Sequence, residues 1–300
     1  MGAGKRRWHE ITFVIPRLWN EVLPHFLDEM GFSGHWLDEE KQPPHRLVLR
    51  TYLPEGLWQP AMEAQVEAYL KELSFIFPAG SQEAQVQVRL IDAEDWGSAW
   101  LSFFEPFRIG PVWIRPSRKK IRPASGEQEL VLDPGEAFGT GYHESTLLCL
   151  ESILLLRPWL EDEASVLDLG TGSGILAMFA SRLGLKNILA LDTDPVAVET
   201  ATRNVTTNRL EHCIQISHEP FESIQKRFKL ILANLSASLH GRLAEEFRLH
   251  LEKDGWLVAG GLLAGEGDAL SHSFHTKGLE LSRQKTKNDW ECLIFKVRQG

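Results

Sequence analysis

Over the first ninety residues the apolar positions switch between two periods. WHEITFVIP (Trp8 to Pro16) reads as a strand, and RLWNEVLPHFLDEMGF then carries Leu18, Val22, Phe26 and Met30 at helical spacing, with Gly31 as its stop. HRLVLRTYLP reads as another strand. LWQPAMEAQVEAYLKELSFIF puts Met62, Val66, Tyr69 and Leu73 on one helical stripe, and AQVQVRLI alternates as a half-buried strand does. This order fits a small ferredoxin-like α+β unit if one further strand lies between Gly31 and Asp38.

The pattern then changes. AEDWGSAWLSFFEPFRIGPVWIRPSRKK is dense in aromatics, with Trp96, Trp100 and Phe103 at helical spacing and a short strand around Trp113, as expected of a connector that packs two domains together. IRPASGEQE, polar with Pro and Gly, marks a boundary. The expected divisions are therefore residues 1–92, 93–127 and 128–300. Beyond the boundary, SVLDLG, NILALD, CIQIS, KLILAN and GWLVAGG are short apolar runs, each expected to be followed by a helix, which is the pattern of a doubly wound parallel sheet. LELSRQKT and WECLIFKV close the chain without a helix between them. Two such strands return as an antiparallel pair, so one strand of the sheet should be reversed.

Composition narrows the class. A chain of 300 residues is about right for two domains. No run approaches the ~20 apolar residues that cross a bilayer, and the basic start MGAGKRRWHE is not followed by the apolar core of a signal peptide. A cytoplasmic protein with no membrane association is expected. Cys149, Cys213 and Cys292 lie too far apart for a CxxC or CxH site, so neither a disulfide framework nor a metal is expected. The net charge of −9 disfavours direct nucleic-acid reading, which draws its affinity from Lys and Arg on phosphates, and suits a basic partner.

The candidate chemistry begins at SVLDLGTGSGIL. Asp168, Gly170, Gly172 and Gly174 form a DxGxGxG arrangement between an apolar strand and a helix, where glycines let the backbone turn sharply and lie against a ligand. A dinucleotide fingerprint would be GxGxxG, but the sixth position from Gly170 is Ile175. That departure disfavours an NAD-dependent oxidoreductase and suits a nucleoside cofactor without phosphates to hold at the helix N-terminus. Asp192, about twenty residues on, ends the next strand, where a carboxylate can accept bonds from both ribose hydroxyls. Asp194 before Pro195 reads as a helix N-cap. Thr171 and Ser173 offer hydroxyls within the loop.

On these residues the chain resembles the class I S-adenosylmethionine-dependent methyltransferases, a Rossmann-like fold closed by a reversed strand. The resemblance places Gly170, Thr171, Gly172 and Gly174 under the methionine part of S-adenosyl-L-methionine and Asp192 on its ribose, with Asp168 orienting the loop or receiving the cofactor ammonium through water. A second stretch, DPGEAFGTGYHEST (Asp133 to Thr146), resembles the signature of the PrmA family, methyltransferases of protein L eleven of the large ribosomal subunit. So do the aromatic connector and ILANLSASLHGRL. The family resemblance spans essentially the whole chain.

It implies transfer of methyl groups to lysine side-chain and/or N-terminal amines of that ribosomal protein, the N-terminal domain docking the substrate. It makes DPGEAFGTGYHEST a lid, with Phe138, Thr140, Gly141, His143 and Thr146 as cofactor contacts, and it makes Asn234 and Leu235 the catalytic pair, Asn234 also touching the cofactor. A monomer is expected. Departures from the family pattern are Tyr142, Ser145 in place of a usual threonine, and Ser-Ala-Ser at 236–238. The alternatives are a lysine methyltransferase of a non-ribosomal protein and the disfavoured oxidoreductase; a base methyltransferase would carry an Asn/Asp-Pro-Pro-aromatic segment where this chain has Asn-Leu-Ser-Ala.

Overall fold

The computed structural model describes residues 7–19, 22–30, 32–38, 46–77, 84–92, 105–133 and 143–298. The chain divides into two compact units, Met1–Trp100 and Leu101–Gly300. The lid positions Phe138, Thr140, Gly141 and Tyr142, and the connector positions Trp96, Trp100 and Phe103, lie outside the described residues.

In the first unit the elements are β1 (Arg7–Pro16), α1 (Val22–Glu29), β2 (Ser33–Asp38), β3 (Arg46–Pro54), α2 (Pro60–Ile76) and β4 (Gln85–Asp92). They build a sheet of order β2-β3-β1-β4 in which every neighbouring pair is antiparallel. The further strand expected between Gly31 and Asp38 is β2. Side chains alternate across a pleated strand, so Ile11, Phe13 and Ile15 of β1 share one face with Leu47 and Leu49 of β3, and Leu23, Leu27, Val66, Leu70 and Leu73 of the helices cover them.

Two expectations for this unit fail in detail. Leu18 is 63% exposed, and the buried stripe is Leu23 and Leu27. The chain passes through a 3-10 turn at Arg17–Trp19 before Pro24 falls in the first turn of α1, which breaks the helical phase assumed from Leu18 onward. The strand β4 was expected to be half-buried, yet Val86, Val88 and Leu90 are 37–43% exposed. It is an edge strand, paired to β1 alone, so the core covers it less completely.

The second unit opens with a small sheet of β5 (Phe107–Ile109), β6 (Val112–Arg115) and β7 (Gln128–Val131), whose Ile109, Val112, Ile114 and Leu130 enter the main core. It continues with α3 (Glu144–Leu156), β8 (Ser165–Leu169), α4 (Ile175–Arg182), β9 (Asn187–Leu191), α5 (Pro195–Thr207), β10 (Ile214–Ser217) and β11 (Phe228–Asn234). Then follow α6 (Ala237–Arg242), α7 (Ala244–His250), β12 (Leu251–Leu263), α8 (Gly267–Thr276), β13 (Leu279–Lys287) and β14 (Trp290–Val297).

The large sheet runs β10-β9-β8-β11-β12-β14-β13. It is parallel from β10 to β12, and β14 lies antiparallel to both neighbours, the reversed strand the terminal pattern required. One expected helix is absent. The crossover from Ser217 to Phe228 holds only a 3-10 turn at Phe221–Ser223, because the segment is short and Pro220 interrupts it. No helix among the described residues is long and apolar enough to cross a membrane.

Strand order reverses between β8 and β11, and in open α/β sheets ligands bind at such a point, outside the carboxyl ends of the strands. Residue parity decides what faces it. Val166, Leu230 and Leu232 belong to the cluster built with α3 and α4, whereas Leu167, Ile231 and Ala233 belong to the one on the opposite face. Asp168 pairs in register with Leu232, so Asp168 and Asn234 share the α3 face at the switch point. At the end of β7, Asn208 pairs with both backbone groups of Val131, accepting from its N–H (2.8 Å) and donating to its carbonyl (2.6 Å) as a neighbouring strand would.

Candidate active site

The glycine loop is held from both ends. Gly170 and Thr171 each donate a backbone N–H to the Leu191 carbonyl (2.9 Å), and Gly170, Gly172 and Gly174 have φ of 70°, 55° and 83°, a region that L side chains enter at a cost. A Cβ at Gly170 would come 2.7 Å from Leu235 Cδ2, and one at Gly174 would come into ordinary contact with Ala201 of α5 (3.4 Å). The loop therefore leaves a strip of bare backbone between β8 and α4.

Asp168 is fully buried beneath it. Its Oδ2 accepts from the Thr171 hydroxyl (2.6 Å) and the Ala177 N–H (3.1 Å), while Oδ1 has no hydrogen-bond partner among the described residues. Burial pushes its pKa up to about 6, against the Thr171 and Ala177 bonds and with the Asp192 charge adding to the rise. A cationic group beside Oδ1 would offset that penalty. Asp192, half-buried at the end of β9, accepts from the Gly172 N–H (2.9 Å) on Oδ2 and from the Asp194 N–H (3.0 Å) on Oδ1, leaving a lone pair on each oxygen. Asp194 caps α5 through the Val196 N–H (2.9 Å).

Asn234 ends β11 and faces α3. Its Nδ2 donates to Ser145 Oγ and Thr146 Oγ1, both at 3.3 Å. Ser145 Oγ lies 2.8 Å from His143 Nδ1, which also receives the Ser145 N–H (3.4 Å), so the hydroxyl donates to the ring. His143 is the N-cap of α3 and packs edge-on against Trp290 (4.4 Å between centroids). With both amide protons of Asn234 engaged, its orientation is fixed, and Oδ1 has no partner among the described residues. Gly260, the register partner of Asn234 on β12, keeps the space beside Oδ1 clear: a Cβ there would stand 3.2 Å from Oδ1 and collide with Cys149 Sγ.

The structure thus brings Asp168, Gly170, Thr171, Gly172, Gly174, Asp192, Asn234 and Leu235 to one end of the sheet, with His143 and Thr146 behind Asn234. Thr146 is 1% exposed and spends its hydroxyl on Asn234. Ser145, noted in the sequence only as a departure from a motif, turns out to link Asn234 to His143. Gly260 and Gly261 close the apolar run GWLVAGG; a Gly-Gly pair inside such a run is a bulge signal, and the pairing of β12 with β14 does break between Ala259 and Leu262.

The donor set fits a nucleoside cofactor carrying an ammonium group: bare backbone, a carboxylate with open lone pairs at the next strand end, and a buried carboxyl with one open oxygen. A seven-stranded sheet with one reversed strand and this loop at its switch point define a class I S-adenosylmethionine-dependent methyltransferase. The sequence model of the family "Ribosomal protein L11 methyltransferase (PrmA)" matches residues 7–298, and the chain belongs to that family. It is 30% identical to the ribosomal protein L11 methyltransferase of Caldicellulosiruptor saccharolyticus, over 96% of this chain and 98% of the relative. It is 33% identical to that of Pelobacter propionicus, over 97% of each. The crystal structure of a ribosomal protein L11 methylase from Lactobacillus delbrueckii subsp. bulgaricus superposes with a TM-score of 0.59 at 26% identity, covering 65% of this chain and 99% of that one. Family membership removes the oxidoreductase alternative.

Proposed function

We propose that this methyltransferase modifies lysine side-chain and/or N-terminal amines of a large-subunit ribosomal protein, L11 being the substrate named for its relatives. The observation that carries the amine reading is the fixed, unpaired Oδ1 of Asn234 at the switch point. A buried acceptor left without a donor costs about 1–3 kcal/mol, and the N–H of an incoming amine removes that cost.

When bound, S-adenosyl-L-methionine supplies an electrophilic methyl on a sulfonium. The protein's part is to present a neutral nitrogen in line with it. A lysine amine has an unperturbed pKa of ~10.4, so its proton must be lost before its lone pair can attack. Asn234 suits this step better than a carboxylate: its neutral oxygen accepts an amine N–H and aims the lone pair without stabilising the ammonium. Leu235, packed over Gly170, gives the amine an apolar wall, which penalises the cation further. With the cofactor bound, Asp192 would hold the ribose, the glycine loop would lie under the methionine part, and Asp168 would position the loop and offer its open oxygen to the cofactor ammonium. Phe138, Thr140 and Gly141 would serve as lid contacts, and His143 orients Asn234 through Ser145. The N-terminal domain docks the substrate, and the net charge of −9 suits a basic protein.

The test is Asn234→Ala. Loss of one hydrogen bond to the reacting amine, worth about 0.5–1.5 kcal/mol, should lower kcat/KM by roughly 2- to 10-fold while calorimetry shows unchanged affinity for S-adenosylmethionine. Unchanged turnover would remove Asn234 from the reaction.

A further inference from the structure

We propose that His240 is a positioning residue for methyl transfer, pinning the Leu235 peptide through the carbonyl of Gly260; the proposal rests on the reading that Asn234 and Leu235 receive the acceptor amine. His240 lies on α6, which starts directly after the Asn234–Leu235–Ser236 turn. It is fully buried, with Phe247 5.8 Å away between ring centroids. Packing alone would be met by an apolar residue, and burying an imidazole costs free energy unless its polar atoms are used.

One of them is. Nε2 lies 2.9 Å from the Gly260 carbonyl, and the same oxygen accepts the Leu235 N–H at 3.1 Å. Burial holds the ring well below the usual histidine range, at about 4, against the opposing pull of the Gly260 and Leu235 backbones. The ring is therefore neutral, and its single proton sits on Nε2, because a carbonyl can only accept. Being buried and committed in this way, His240 is no general base.

What it anchors is a weak place in the sheet. The ladder between β12 and β14 is interrupted from Ala259 to Leu262, so Gly260 and Gly261 lack regular pairing on that side, while Gly260 keeps its register with Asn234 of β11 on the other. Gly261 has φ +77°, and a Cβ on it would stand 2.6 Å from the Leu235 carbonyl oxygen. The bulge thus passes directly under the Leu235 peptide, whose side chain rests against Gly170 on its other side. The His240 bond fixes the Gly260 carbonyl, that carbonyl fixes the Leu235 N–H, and the turn following Asn234 keeps its place between the cofactor loop and the bulge.

The experiment compares His240→Gln, whose amide nitrogen reaches about as far as Nε2, with His240→Asn, whose shorter amide does not. It reads kcat and KM for the protein acceptor, affinity for S-adenosylmethionine, and hydrogen exchange at the Leu235 amide. The expected result is faster Leu235 exchange and a roughly tenfold lower kcat in His240→Asn, with cofactor affinity unchanged and both effects largely reversed in His240→Gln. Equal losses in the two variants, or a Leu235 amide that exchanges alike in both, would overturn the proposal. Faster exchange at Leu235 with wild-type kcat would overturn it too, and would locate the fault in the assignment of Leu235 to the transfer site, which a fully active Asn234→Ala variant would confirm independently.

Discussion

Gly170→Ala, read against Gly126→Ala, separates backbone strain from displacement of the transfer site. Both glycines have positive φ, +70° and +85°, so both alanines meet the same left-handed penalty of about 1–2 kcal/mol, part of it offset by the lower entropy of the unfolded chain. Each variant should lose on the order of 1 kcal/mol, a fall in Tm of about 2–4 °C. Their surroundings differ. Nothing lies within 4 Å of a Cβ at Gly126, whereas at Gly170 it would meet Leu235 Cδ2 at 2.7 Å. Carbon contacts settle near 3.5–4.0 Å, so Leu235 must withdraw by on the order of 1 Å. A misplacement of that size at a reacting centre costs up to about a hundredfold in rate. Initial methyl-transfer rates with saturating cofactor should thus be near wild type for Gly126→Ala and lower by one to two orders of magnitude for Gly170→Ala, at similar Tm. Equal rates in the two variants would refute the placement of Leu235 against the reacting groups.

Asp192→Ala removes the carboxylate assigned to the ribose and leaves the Gly172 N–H without its acceptor; calorimetry should show S-adenosylmethionine binding weakened by roughly 10- to 150-fold, and unchanged affinity would place the ribose elsewhere. Asp168 gives a pH signature. Its folded-state pKa is raised to about 6, so the native protein holds this proton more tightly than the unfolded chain does, and the stability linked to it is complete below about pH 4 and lost as pH rises through 6. Asp168→Asn keeps an acceptor for Thr171 and Ala177 and cannot ionise, so its Tm relative to wild type should rise between pH 4 and pH 7 and bind cofactor less well throughout; a Tm difference independent of pH would contradict the buried charge.

The order of elements and the cofactor loop were legible in the sequence because both are local. Short continuous apolar runs located the strands of the large sheet, and Asp168, Gly170 and Asp192 sit at strand ends where a reading along the chain can find them. Asn234 could be named from its motif, but its partners could not. Ser145 and Thr146 lie 89 and 88 residues away in the chain, and only the register of β8, β11 and β12 shows that even-numbered side chains of β11 face α3. His240 carried no signal of its own, since a histidine inside SASLHGRL looks like a solvated helix residue until the bulge at Gly260 is seen beneath it. Leu18 and the helix expected after β10 were misplaced for local reasons, a 3-10 turn and a proline, which periodicity does not register.

The central claim, methyl transfer from S-adenosylmethionine to amines of a ribosomal protein, is tested most directly with labelled cofactor and purified large-subunit proteins, reading each product by intact mass. The account predicts that L11 gains label in steps of one methyl, that the methyls map to lysine or N-terminal amines, and that Asn234→Ala suppresses the reaction without loss of cofactor binding. Cofactor binding with L11 left unmodified while another protein is labelled would contradict the substrate assignment.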